Sequence, residues 1–209
     1  MITVHHLNNS RSQRILWLLE EIGQPYEIVR YQRDAKTMRA PDALKLIHPL
    51  GKSPVVEDGE RILAETGAIL EYLVETYAPQ LAPKRGTDAY WRYVYWMHYS
   101  EGSLMPQLLI KLIADRMGVL AWPIKGMVRK QLALHLDYLE CELAKSPWMV
   151  GAEMTAADVM MSFPLEASVS RAGITKNSKP KIFEYVARLQ ARPAYKRALE
   201  KGGEYAYAK

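Results

Sequence analysis

The spacing of apolar residues changes character after Tyr77. From Ile2 to Leu7 apolar and polar positions alternate loosely, as in a strand with one covered face. The polar run Asn8-Asn9-Ser10-Arg11-Ser12 follows, then Ile15, Leu16, Leu18, Leu19 and Ile22 at helical spacing, which predicts a helix over 13–22. Gly23-Gln24-Pro25 ends it and Tyr26–Tyr31 reads as a second strand. A β-α-β unit of this size implies parallel strands joined by a right-handed crossover. After a short irregular or helical segment over 41–46, the β-branched Val55-Val56 and the apolar Ile62-Leu63 flank Asp58-Gly59, the signature of a hairpin. A helix is expected from Thr66 to about Tyr77. The order β-α-β-α-β-β-α makes a small mixed sheet with helices on its faces.

Beyond Tyr77 no strand-like alternation appears. Prolines and a glycine mark a linker over 79–87. A long aromatic-rich helix is expected over 87–117, bent or broken near Gly102 or Pro106, and another over 122–145 with Leu132, Leu136, Leu139 and Leu143 on one face. Thr155-x-x-Asp158 is a helix-capping pair. Helices over 180–190 and 193–201 close the chain, followed by a loosely held tail. The expected division is therefore an α/β domain over 1–78, the linker, and an all-α domain over 88–209.

The composition is that of a globular chain, with 49% hydrophobic and 24% charged residues. No apolar run approaches a membrane span, and the start lacks a basic region ahead of an apolar core, so neither a membrane anchor nor a signal peptide is read. The lone Cys141 excludes an internal disulfide, suits a reducing cytoplasm and is expected to be buried. The net charge of +5 is spread rather than clustered, which argues against nucleic-acid binding. No metal site is read.

The stretch His48-Pro-Leu-Gly-Lys-Ser-Pro54-Val-Val56, with Ala64-Glu65-Thr66-Gly67 after it, is the most informative part of the chain. Pro54 stands where the third strand begins and cannot donate to a ladder, so the strand has a broken margin there. Thr66 opens a helix, whose first N–H groups are unpaired and suited to a carboxylate. The string HPLGKSPVVEDGERILAETGAILEYL resembles the glutathione-binding segment of cytosolic glutathione transferases, and the resemblance extends over nearly the whole chain. Thr155–Asp158 after Gly151 resembles the family's mark in its helical domain; Tyr31-Gln-Arg-Asp-Ala35 and Tyr99-Ser-Glu-Gly-Ser-Leu104 resemble a bacterial and fungal branch. The implied fold is a thioredoxin-like amino-terminal domain, here without Cys-x-x-Cys, followed by an all-helical domain.

That resemblance implies a cis peptide before Pro54, with Ser53 pairing main chain to main chain with the cysteinyl part of glutathione. Glu65 and Thr66 hold its γ-glutamyl end. Lys52 or His48 is a candidate for the glycyl carboxylate, His48 being more simply a structural residue before proline. Ser53 departs from the aliphatic residue common there. The family's thiol partner is a Tyr, Ser or Cys in the first loop; with no Tyr or Cys between Met1 and Gln24, a serine-type enzyme is implied. Ser10 is the first candidate, Ser12 the alternative and Asn9 a third that also contacts glutathione; a serine here equally suits a helix cap. Arg11 is an auxiliary cation or a surface charge. The second substrate, a hydrophobic electrophile or a peroxide, is expected between the domains against Met97, Tyr99 and Met105, residues that equally fit a core, and Glu101 is expected to reach glutathione in a neighbouring subunit. The implied protein is a cytoplasmic, homodimeric detoxifying transferase, with glutathione as co-substrate and no other cofactor. The alternative is a non-catalytic glutathione-binding carrier or regulatory protein on the same fold.

Overall fold

The structure is a computed structural model and describes residues 1–208. It forms two compact units. One comprises Met1–Leu81 together with the chain from Gln190 onward; the other is Ala82–Leu189.

The first unit is built on a four-stranded sheet in the order β2-β1-β3-β4: β1 Ile2–Leu7, β2 Tyr26–Tyr31, β3 Val55–Asp58 and β4 Arg61–Ala64. β1 and β2 are parallel, bridged by α1 (Gln13–Ile22), while β3 is antiparallel to both β1 and β4. The hairpin loop sits one residue beyond the expected Asp-Gly pair. Asp58 pairs with Arg61, so the loop residues are Gly59 and Glu60, and Gly59 takes the positive φ of +60° that such a short reversal needs. α2 (Thr66–Tyr77) follows directly. Ile2 and Val4 of β1, Val55 and Val56 of β3, Ile15, Leu16, Leu18 and Leu19 of α1, and Ile69, Leu70 and Leu73 of α2 are all buried.

Every residue of α1 from Gln13 to Glu20 is buried, more than one amphipathic stripe would give. The second cover is α8 (Pro193–Gly202), which packs on α1 with Tyr195 edge-on to Trp17 at 5.4 Å. By its contacts α8 groups with the sheet unit. The tail is not loosely held. Tyr205 and Tyr207 are buried, with ring centroids 5.3 Å apart.

In the helical unit, α3 (Asp88–Tyr99) and α4 (Met105–Met117) are joined by a π-helical turn over Ser100–Leu104. The expected disruption near Gly102 is thus a widened turn, and Ser100 donates to the Met160 carbonyl at 2.9 Å. α5 (Trp122–Leu143) buries Leu132, Leu136, Leu139 and Leu143 as its spacing predicts; Cys141, on the opposite side, is exposed rather than buried. α6 (Ala156–Arg171) is enclosed from Ala156 to Ser168, the centre of this unit, and most of α7 (Pro180–Ala191) packs here. The Thr155–Asp158 capping box forms. The Asp158 carboxylate accepts from the Thr155 and Met149 N–H groups at 2.7 and 2.8 Å and from the Tyr185 hydroxyl at 2.6 Å, so a fully buried charge has donors on both oxygens. No described helix is long and apolar enough to cross a membrane.

Candidate functional site

The first loop lies between the end of β1 and the start of α1. Asn8 Oδ1 accepts from Arg33 N–H at 2.9 Å, which fixes the loop's entry beside β2. Asn9 takes a left-handed φ of +51°, a conformation Asn tolerates better than most side chains, and its Oδ1 accepts from the Ala206 N–H at 2.6 Å. Ser10 then bends the chain: its Oγ accepts from the Ser12 N–H at 3.2 Å, a local hydroxyl turn.

The two serines are not equivalent. Ser12 stands at the N-cap of α1 yet makes no capping bond with its side chain. Its Oγ lies 2.9 Å from His6 Nδ1 and 2.7 Å from Ser10 Oγ, and accepts from the Leu7 N–H at 3.2 Å. It is wholly enclosed, and Ser10, 4% exposed, is the far end of a His6–Ser12–Ser10 line. Burial, assisted by the nearby Arg30 charge, pulls the His6 imidazole down to about 4, against a hydrogen bond to the Gly202 backbone that works the other way. His6 is therefore neutral at physiological pH, with Nδ1 facing the Ser12 hydroxyl.

The margin at Pro54 joins this loop. The Ser53–Pro54 peptide is cis, and the β1–β3 ladder ends at the His5–Val55 pair. Ser53 Oγ donates to the His5 carbonyl at 2.8 Å and accepts from the Leu7 N–H at 3.3 Å. The side chain thus satisfies the β1 groups that the strand's proline start cannot serve, a role an aliphatic residue could not fill. Leu7 N–H lies within reach of both Ser12 Oγ and Ser53 Oγ, which ties the loop to the margin.

The third part is the start of α2. Glu65 holds a positive φ of +69°, uncommon for a side-chain-bearing residue, and is exposed. Thr66 is buried, and its Oγ1 accepts from Arg14 Nη2 at 3.4 Å, linking the first turns of α1 and α2. Lys52 is exposed; His48 accepts from the Leu50 N–H at 3.4 Å within its own turn, the structural use. Arg11 is half-buried in the loop. Among the described residues no group of His, Cys, Asp or Glu is placed to hold a metal ion.

In the helical unit Met97 and Tyr99 lie in that unit's own interior, with the Tyr99 hydroxyl 2.7 Å from His135 Nδ1. Of the three residues expected to line a second-substrate site, only the half-exposed Met105 offers surface. Glu101 is half-exposed on the π turn.

Sequence reasoning missed His6, Gly202 and the part played by the Ser53 hydroxyl. A signal for His6 was present: it continues the Ile2, Val4 face of β1, so a polar ring was bound for the interior.

Comparison with known proteins places this arrangement. Residues 1–75 match the family Glutathione S-transferase, N-terminal domain, and residues 124–202 match Glutathione S-transferase, C-terminal domain. The protein named Glutathione S-transferase 3 of Schizosaccharomyces pombe is 39% identical, the alignment covering 96% of this chain and 88% of that one. The chain belongs to the glutathione S-transferase family. A solved glutathione S-transferase from Actinobacillus pleuropneumoniae is 37% identical and superposes with a TM-score of 0.90, covering 100% of this chain and 96% of that one. A sphingomonad glutathione S-transferase, solved in complex with glutathione, shares the fold at 24% identity with a TM-score of 0.78, covering 96% and 98%. The thioredoxin-like sheet unit and the all-helical unit of this chain are the two domains of that family.

Proposed function

We propose that this chain is a glutathione transferase of the serine type, in which Ser10 meets the thiol. The observation that carries the reading is the continuous polar line Ser10–Ser12–Leu7–Ser53, which joins a loop hydroxyl to the sheet margin at Pro54. Glutathione lies along that margin against the main chain of Ser53. Its γ-glutamyl end is received by Glu65 and by the hydroxyl and N–H of Thr66 at the start of α2, and its glycyl carboxylate pairs with Lys52. Asn9 stays nearby as part of the loop.

The chemistry is ionisation of a thiol. An ordinary cysteine thiol ionises near pH 8.5, so little is thiolate at neutral pH. Lowering that by about 2 units needs about 2.7 kcal/mol of preference for the anion. The Ser10 hydroxyl, the N-terminal end of α1 and the Arg11 cation together are of that size. The proton leaves to solvent. The thiolate then attacks an electrophilic carbon; the sulfur–carbon bond forms as the leaving group departs with its electron pair. With a hydroperoxide the same sulfur attacks oxygen, and a second glutathione completes reduction to the alcohol, glutathione disulfide and water.

The second substrate is a small hydrophobic electrophile or peroxide, met by Met105 with Glu101 and Ser103 of the π turn. The protein works in the cytoplasm as a homodimer. Trp91 and Tyr95 on α3, with Leu134 and Tyr138 on α5, are exposed at i, i+4 spacing, an apolar face suited to a second subunit, across which Glu101 reaches the glutathione amine of the pair. Turnover of chlorodinitrobenzene and of cumene hydroperoxide with glutathione tests the reading. Conjugation that is lost in Ser10→Ala supports it. Tight glutathione binding without turnover in the wild type instead makes the protein a carrier.

A further inference from the structure

α8 is fixed along α1 by charge. Arg192 reaches both oxygens of Glu21 at 2.5 and 2.8 Å, and Arg197 and Lys201 converge on Glu20 at 2.8 and 2.5 Å. The two carboxylates are only 10% and 6% exposed, so these pairs are shielded from solvent in a way surface pairs are not. At its end the helix comes so close that a Cβ on Gly202 would lie 2.8 Å from Gln13 Oε1 and 2.9 Å from Leu16 Cδ1. The same Cβ would lie 3.5 Å from His6 Nε2, and the Gly202 backbone hydrogen-bonds the His6 ring. Gly203 then turns the chain with a φ of +88°, Tyr205 and Tyr207 bury their rings, and the Ala206 N–H between them donates to Asn9 Oδ1.

Both contacts end beside Ser10. The Gly202 backbone meets the His6 ring, His6 Nδ1 faces the Ser12 hydroxyl, and Ser12 meets Ser10 through both its N–H and its Oγ. Ala206 holds Asn9, the residue directly before Ser10, in its left-handed conformation. The β1–β2 and β1–β3 pairings require neither contact.

We propose that the carboxy-terminal segment Gly202–Tyr207 is a positioning element of the thiol site, holding Ser10 from one side through His6 and Ser12 and from the other through Asn9. The proposal rests on the reading of Ser10 as the thiol's partner. It assigns catalytic weight to a stretch that touches neither reacting atom, and it makes Asn9 a positioning residue rather than a direct ligand of the thiol.

The test uses the full-length protein and two substitutions that approach one hydrogen bond from opposite ends. Ala206→Pro removes the donor. Asn9→Gly removes the acceptor while keeping a residue at ease with positive φ. Each is expected to lower kcat/KM for glutathione roughly five- to tenfold, the worth of one hydrogen bond. Each also moves the ionisation seen in the pH profile of kcat/KM upward, with the circular dichroism spectrum unchanged. Because both act through one contact, the double variant is expected to be no worse than either single. A folded Ala206→Pro protein with wild-type kcat/KM and pH profile overturns the proposal, as does a double variant whose losses multiply. Ser10→Ala in parallel separates the two readings. If it is impaired and Ala206→Pro is not, only the positioning role falls; if Ser10→Ala keeps the wild-type profile, both fall.

Discussion

Ser12 Oγ stands 2.9 Å from His6 Nδ1, and Ser10 Oγ stands 2.7 Å from Ser12 Oγ. The two serines thus have different partners, and with Ser10 proposed as the thiol's partner their variants are expected to differ. Ser10→Ala is expected to lower kcat/KM by roughly 10- to 100-fold with little loss of stability, the usual cost of removing a donor to a developing or resting anion. Ser12→Ala takes away the hydroxyl facing buried His6 Nδ1 and one of the two acceptors of the Leu7 N–H. It is expected to cost about 1–3 kcal/mol of stability, read as a lower midpoint in thermal unfolding. Steady-state kinetics and thermal melts on the two variants check the division; a Ser12→Ala protein with wild-type stability contradicts it.

Ser53 is a second case in which one hydroxyl does the work of a missing ladder. Ser53→Ala removes the hydroxyl donated to the His5 carbonyl and one of the two acceptors of the Leu7 N–H. A loss of about 1–2 kcal/mol is expected, with a weaker effect on glutathione affinity because the proposed ligand contact is through the main chain. Denaturant unfolding and calorimetric titration read the two effects separately.

Glu65 carries a side chain in a conformation where few residues rest. Glu65→Gly relieves that backbone and removes a carboxylate from the proposed γ-glutamyl site. Stability is expected to rise by up to about 1 kcal/mol, while KM for glutathione rises several-fold. A gain in stability together with a loss of glutathione affinity is the signature of a site that holds strain for binding; a fall in both stability and affinity contradicts it.

His6 also sets a pH dependence of stability. Burial holds its pKa in the folded protein at about 4, below the ordinary 6.5. Between those values the unfolded chain binds a proton that the native chain does not, so stability is fully present above pH 6.5 and falls as pH drops toward 4. The loss approaches about 3 kcal/mol. Asp158 works in the opposite sense, since burial raises its carboxyl above the ordinary value. The comparison is therefore between wild type and His6→Asn, which is expected to flatten the slope over pH 4–6.5. An unchanged slope in the variant contradicts the assignment.

The strands, the helix starts at Gln13 and Thr66, and the cis bond before Pro54 were all legible in the sequence, because each rests on local signals: period, β-branching, turn residues, and one proline within a recognisable string. The residues that order the site were not legible, for a physical reason. His6 meets Gly202 and Asn9 meets Ala206 across nearly the whole chain, and no periodicity or local chemistry encodes such a pairing. Met97 and Tyr99 show the converse. An aromatic and methionine stripe marks an apolar face of a helix, but what covers that face is decided by packing: both are buried, and Tyr99 packs against Tyr95, Trp96, His135 and Tyr138. Cys141 failed for the same reason: its place in a leucine-rich run said nothing of which side of α5 it would occupy.

The most direct test is the ionisation of glutathione while bound. Ultraviolet difference titration of the complex follows the thiolate against pH in the wild type and in Ser10→Ala. The expected result is a bound thiol ionising about 2 units below an ordinary cysteine thiol in the wild type, with most of that shift lost in the variant. A bound thiol that ionises at its ordinary pH, or one whose lowered value survives loss of the Ser10 hydroxyl, contradicts the account.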